Sequence, residues 1–136
     1  MNIKRWLLAS LAVLVVIGVV GFVTNEILLK DLYMQTASVW RPMPELMSMM
    51  WMMWIGHAIF ALMFVLIYIK GYEKNKSGVA QGVRYGIYLG LLASVAPQFI
   101  WYVVLPIPVS LVVSWAIVGM VESVVAGVAV GLVYHD

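Results

Sequence analysis

Apolar residues fall into four long blocks separated by short polar stretches. The first runs from Trp6 to Leu29 and is interrupted only by Ser10, Thr24, Asn25 and Glu26. The second covers Leu46 to Ile69. The third, Val79 to Leu105, holds Gln81, Arg84, Pro97 and Gln98; the fourth, Val109 to Tyr134, has Glu122 as its only charge. A bilayer core of about 30 Å is crossed by about 20 helical residues at 1.5 Å rise each. Each block is long enough, so the pattern predicts four transmembrane helices over about 6–29, 46–69, 79–105 and 109–134. Pro42 and Pro44 suit the start of the second helix. Asn75, Ser77 and Gly78 can break the chain before the third. Pro106 and Pro108 disfavour a continuous helix through Leu105 to Val109, which makes the last two helices a tight antiparallel pair.

Lys4 and Arg5 ahead of the first block give it the charged start of a signal peptide. Its apolar run of about 18 residues exceeds a usual signal core, and no A-x-A site follows, so an uncleaved helix is expected.

Composition sharpens the class. The chain has 136 residues, of which 65% are apolar and 10% charged; its mean hydropathy is +1.04. Too few polar side chains exist to cover a water-facing surface. A soluble globular domain and a disordered chain are both excluded. The expected fold is all-α, an integral membrane four-helix bundle, antiparallel and forming a single transmembrane domain. Cysteine is absent, which removes disulfides, thiolate catalysis, Cys-ligated zinc, iron–sulfur clusters and c-type haem attachment. The net charge of +2 offers nothing to nucleic acid.

The basic residues instead act as topology signals. Lys4, Arg5, Lys70, Lys74 and Lys76, with Arg84 just inside, share one end; Lys30 and Arg41 share the other. Positive residues gather on the cytoplasmic side, so both termini and the Lys70–Gly78 loop are expected there. Trp6, Tyr68, Tyr72 and Tyr134 would belt that interface, and Tyr33, Trp40, Trp101 and Tyr102 the opposite one.

Small residues recur every fourth position. The third block has Gly78, Gly82, Gly86 and Gly90, then Ser94 and Gln98; the fourth has Gly119, Ser123, Gly127 and Gly131. Lipid provides little hydrophobic drive between helices, so close backbone approach matters more, and such stripes suit a right-handed crossing. They predict either a packed hairpin of the last two helices or a seam between copies of the chain. Pro97 removes one backbone donor and frees the Ala93 carbonyl, which predicts a bend shaped by packing.

Polar groups at depth are the functional lead. Glu122 lies about 18 Å from the inner boundary and His57 about 20 Å, so the two share a level near the middle. An ionisable residue there costs at least about 2.5–3.5 kcal/mol unless paired or hydrated. Both are expected to face the bundle interior and to hydrogen-bond, directly or through water. Burial disfavours the charged form of each, while mutual attraction opposes that effect. The pair would be a polar clip fixing helix register or, in a second reading, a proton relay. Asn25, Glu26, Gln98 and Ser114 share a depth nearer the other end, as wet interface residues or as the lining of an outward cavity. Arg84 can snorkel to lipid phosphates.

Met50, Met53 and His57 fall on one face of the second helix, among further methionines and Trp51 and Trp54. Thioether and imidazole ligands at that spacing suit Cu(I); packing is the preferred reading, because methionine fills irregular apolar gaps. His135 is too terminal to complete a metal site in the membrane. A bis-His haem needs a second intramembrane histidine, which is missing, so His57 is at most a single axial ligand to a macrocycle. No metal or cofactor is therefore expected. No HExxH, GxSxG with a partner base, phosphate loop or paired carboxylates in one helix appears, so no enzyme is expected.

Gly82, Gly86, the Leu105-Pro106-Ile107-Pro108 turn, Trp115, Glu122 and Gly127 resemble the last two helices of small bacterial four-helix membrane proteins grouped as domains of unknown function. The resemblance covers about the last 60 residues. It implies a four-span fold in a bacterial inner membrane and carries no activity. The chain also has the size of the small multidrug-resistance exporters. Their functional Glu lies within the first helix, whereas Glu26 lies at the end of it here.

Two functions follow. The first is a non-catalytic accessory or structural subunit of a larger membrane complex, with other membrane subunits, lipid or itself as partners. The second is a homo-oligomeric proton-coupled transporter or channel using Glu122 and His57.

Overall fold

The computed structural model describes residues 2–134. Among them the chain is helical with no strand. Four helices are long and apolar enough to cross a membrane: Ile3–Leu28, Met43–Lys70, Gly78–Val104 and Val109–Val133. The protein is a multi-pass membrane protein, and these helices are its first to fourth spans.

Local chemistry sets the span ends. The Asn2 side chain accepts the Arg5 backbone N–H at 3.2 Å and so starts the first span a turn earlier than its apolar run. Pro42 caps the second span with Pro44 in its first turn. Ser77 caps the third span by accepting from the Ala80 N–H. Leu105 and Pro108 are extended, so the last two spans turn sharply around Ile107, whose side chain is buried.

Two spans contain a single wide π-helical turn, Thr24–Leu28 in the first and Leu91–Val95 in the third. The second of these immediately precedes Pro97. The wider turn lets the Ala96 N–H reach Leu91, while Pro97 leaves no donor to place.

The third and fourth spans are the closest pair. A Cβ placed on Gly78 would collide with the Gly131 carbonyl, one on Gly82 with that of Gly127, and one on Gly86 with that of Ser123. Residue numbers rise along one helix as they fall along the other, so the pair is antiparallel. Farther along, Gly90 accommodates Met120, and Gly119 accommodates Ser94. The small-residue stripe is thus occupied within the chain. The fourth span also packs on the first, and the first on the second. The second span meets the third where the Tyr85 hydroxyl donates to the Phe64 carbonyl at 2.5 Å and the Tyr68 hydroxyl to that of Gly78 at 3.1 Å.

Two packed layers result. Near the basic end, Val13, Phe64, Val65, Val130 and Tyr134 form the larger core. Tyr68 and Tyr134 are only 3% and 1% exposed, so these two belong to that core rather than to an interfacial belt. At the opposite end Leu29, Ile107, Leu111 and Val112 form a smaller one. It is covered by the segment between the first two spans, which folds into a short helix, Lys30–Gln35, and a 3₁₀ turn, Ala37–Val39. Trp40 meets Tyr33 and Trp115 edge to face there, and the Trp115 Nε1–H donates to the Tyr33 hydroxyl at 2.7 Å. Trp101 and Tyr102, on the same end, face outward.

Candidate functional site

Between the two layers the packing opens. Two adjoining cavities of about 320 and 340 Å³ share Gly21, Asn25 and Glu122 in their walls. The smaller is completed by Thr24, Tyr33, Gln98, Trp115, Val118 and Gly119. The larger reaches across to the second span, where Met50, Met53, Trp54 and His57 line it together with Phe22 and Glu26 of the first.

The backbone explains why this level stays open. Asn25 and Glu26 sit in the π-helical turn of the first span, and Gln98 lies just beyond that of the third. Such turns rotate the following side chains relative to a regular helix and are frequent where a helix borders a site. Gly21 has no side chain to occupy the space between the first and fourth spans. The half of the second span beyond His57 stands away from the bundle, with Met47, Trp51 and Met52 outward.

Glu122 is half-buried at the centre of the fourth span. Among the described residues it forms no hydrogen bond or ion pair. His57, on the opposite wall of the larger cavity, is also half-buried, and its Nδ1 is enclosed without a hydrogen-bond partner. The Trp54 ring meets the His57 ring edge to face, centroids 5.6 Å apart. The cavity brings together the acid and the imidazole singled out in the sequence, yet no direct hydrogen bond links them. The Gln98 Oε1 is likewise enclosed and unpartnered.

Of the four polar residues expected nearer the far end, Asn25 and Gln98 line the smaller cavity, and Asn25 and Glu26 the larger. Ser114 is in neither; its hydroxyl turns back to the Ser110 carbonyl at 2.7 Å. Met50, Met53 and His57 share one wall. Among the described residues no three His, Cys, Asp or Glu side chains converge as a metal site would require. His135 lies outside the described residues.

Sequence reasoning missed Tyr33 and Trp115 as parts of this site. Tyr33 reads as an interfacial aromatic and Trp115 only as part of a family resemblance, and only a contact across 82 residues of chain joins them. Burial raises the Tyr33 hydroxyl above its ordinary value, and the Trp115 N–H partly opposes that. Arg84 also finds a protein partner: it donates to Glu73 at 3.0 Å.

No family model matches this chain, and comparison with curated proteins and with solved structures found no match either.

Proposed function

We propose that the protein is a small proton-coupled carrier or channel whose reacting group is Glu122. The observation that carries this reading is an unpaired carboxyl at mid-span in the wall of a cavity that also holds an unpaired imidazole. A direct register clip would join the two groups by a hydrogen bond, and among the described residues none is made. Ionisable groups kept at depth without partners mark ion or proton pathways more often than structural contacts. Glu122 takes up and releases the proton. His57 supplies a second acceptor across the cavity, and Asn25 and Gln98 offer hydrogen bonds to a polar solute.

The end carrying Lys4, Arg5, Lys70, Lys74, Lys76 and Arg84 is assigned to the cytoplasm. The cavities lie toward the half of the bundle away from it, beneath the aromatic cap.

The test uses purified protein in vesicles loaded with a pH-sensitive dye and driven by a potassium diffusion potential. Proton entry should exceed that of protein-free vesicles and fall to their level in Glu122→Gln, with the variant still eluting as a folded species. Equal flux through Glu122→Gln and the parent overturns the mechanism.

The accessory-subunit reading rests on a different observation, the outward Met and Trp side chains on the stand-off half of the second span. Gentle detergent extraction separates the two: other proteins at fixed stoichiometry favour a subunit, and the chain alone favours a carrier.

A further inference from the structure

Gln98 belongs to the wall of the smaller cavity and His57 to that of the larger. Among the described residues, the Gln98 Oε1 and the His57 Nδ1 are enclosed without a hydrogen-bond partner. An amide oxygen only accepts, and so does the unprotonated nitrogen of a neutral imidazole. Two adjoining cavities thus each hold an acceptor that lacks a donor. Rings stand near both: Tyr33 and Trp115 in the smaller cavity, Phe22 and Trp54 in the larger. The Trp54 ring lies 3.5 Å from where a Cβ on Gly18 would stand, and it meets the His57 ring edge to face. Where the second span stands off, Met53 and Trp54 are 43% and 45% exposed on the outer surface. A molecule dissolved in the bilayer therefore reaches the larger cavity from the side.

We infer that the two cavities bind the ring of a lipid-soluble hydroquinone, its hydroxyls donating to Gln98 and His57 and its tail leaving beside Trp54 into the bilayer. One rigid ring carries two O–H donors at opposite corners, so a single neutral molecule meets both acceptors. Its flat face packs on aromatic side chains, offset or edge to face. Volumes of about 320 and 340 Å³ suit a substituted ring and the start of its chain. An alkanol brings one donor and no flat face. The oxidised quinone brings no donor and leaves the Gln98 oxygen unmet. Both acceptor atoms turn into the packing, and the terminal torsions of Gln and His are broad, so rotation presents them to the ring. The inference concerns binding alone and involves no electron transfer. It goes beyond the carrier reading, since it stands on Gln98, His57 and the rings rather than on the Glu122 proton.

Gly21 lines both cavities, and a Cβ placed on it would meet nothing within 4 Å. Gly21→Leu therefore fills the proposed seat of the ring with a side chain whose first carbon has room.

Three probes of one skeleton test the inference: a decyl-substituted dimethoxy-methyl-benzohydroquinone, the quinone made by oxidising it, and its bis-methyl ether. Only the first carries O–H donors. Binding to the purified full chain in detergent is read anaerobically by calorimetry. Saturable binding of one hydroquinone per chain is expected, at least about tenfold tighter than the ether or the quinone. Gln98→Leu and His57→Leu should each bring the hydroquinone toward the affinity of the ether and leave the ether itself little changed. Gly21→Leu should weaken the hydroquinone at least about tenfold. Equal binding of hydroquinone and ether to the parent protein overturns the inference, and so does tighter binding of the quinone. Hydroquinone binding unchanged in both Gln98→Leu and His57→Leu, or unchanged in Gly21→Leu, overturns it as well. Glu122-dependent proton flux in vesicles is a separate readout, so the carrier reading stands or falls without reference to these affinities.

Discussion

Single residues divide here by what surrounds them. Gly82 and Gly56 are both helical glycines, yet a Cβ on Gly82 would strike the Gly127 carbonyl, whereas one on Gly56 would meet nothing within 4 Å. A backbone carbonyl in a helix cannot swing aside, so Gly82→Ala must push two spans apart. A loss of about 1–3 kcal/mol is expected, as for other overpacked sites. Gly56→Ala should leave stability level or raise it by up to about 1 kcal/mol, through the lower chain entropy of alanine. Thermal unfolding of both variants in one detergent checks the contrast, and similar losses at the two sites would contradict a close-packed seam. The glycine stripe was legible in the sequence because its period is regular. Gln81 was not. Its side chain accepts from the Glu73 N–H at 2.8 Å and donates to the Glu73 and Lys76 carbonyls at 3.0 and 3.1 Å, clamping the loop before its own helix. A lone Gln near a helix start has no periodic signature, and what it binds is decided by how the loop folds back.

At the scale of elements, the four apolar runs predicted the spans well because hydrophobic length alone decides them. The two π-helical turns had no such signal; Pro97 marks one of them only as a place where a regular helix must yield. The loop between the second and third spans is held by charge as well as by Gln81. Glu73 pairs with Lys76 at 2.5 Å and with Arg84 at 3.0 Å. The hydrogen bonds from Lys76 and Arg84 hold its carboxyl below the usual range. A carboxyl with a depressed folded-state pKa stabilises the fold above its unfolded value of about 4.3, and that contribution disappears as the pH falls through the lower folded value. Because these groups are exposed, the effect is confined to the loop. Hydrogen exchange of the 71–77 amides, corrected for intrinsic rates, should therefore lose protection between about pH 5 and pH 3. Glu73→Gln should start from the lower protection and show little further change. A parent protein with flat protection across that range would show that Gln81 alone holds the loop.

For the whole molecule, the division into a tight core at the basic end, an aromatic cap at the other and a mainly apolar cavity bearing Glu122 and His57 between them was only half visible beforehand. Matching depths pointed to Glu122 and His57 because helical rise converts residue counts into height. Sidewise placement was hidden, since no count of residues tells which helix stands away from the bundle. The orientation proposed above rests on charge alone: six basic residues at one end against Lys30 and Arg41 at the other would put the 71–77 loop in the cytoplasm and the aromatic cap outside. The absence of native cysteine makes this directly testable, because any introduced thiol is the sole target of a membrane-impermeant maleimide. Ser77→Cys lies in the loop and Ser38→Cys in the cap, and both positions are on the surface. In intact cells Ser38→Cys should label and Ser77→Cys should not, and permeabilisation should make the second label as well. The reverse pattern would invert the molecule and turn the half that holds the Glu122 cavity to the cytoplasm. Proton uptake by Glu122 would then be expected from inside the cell.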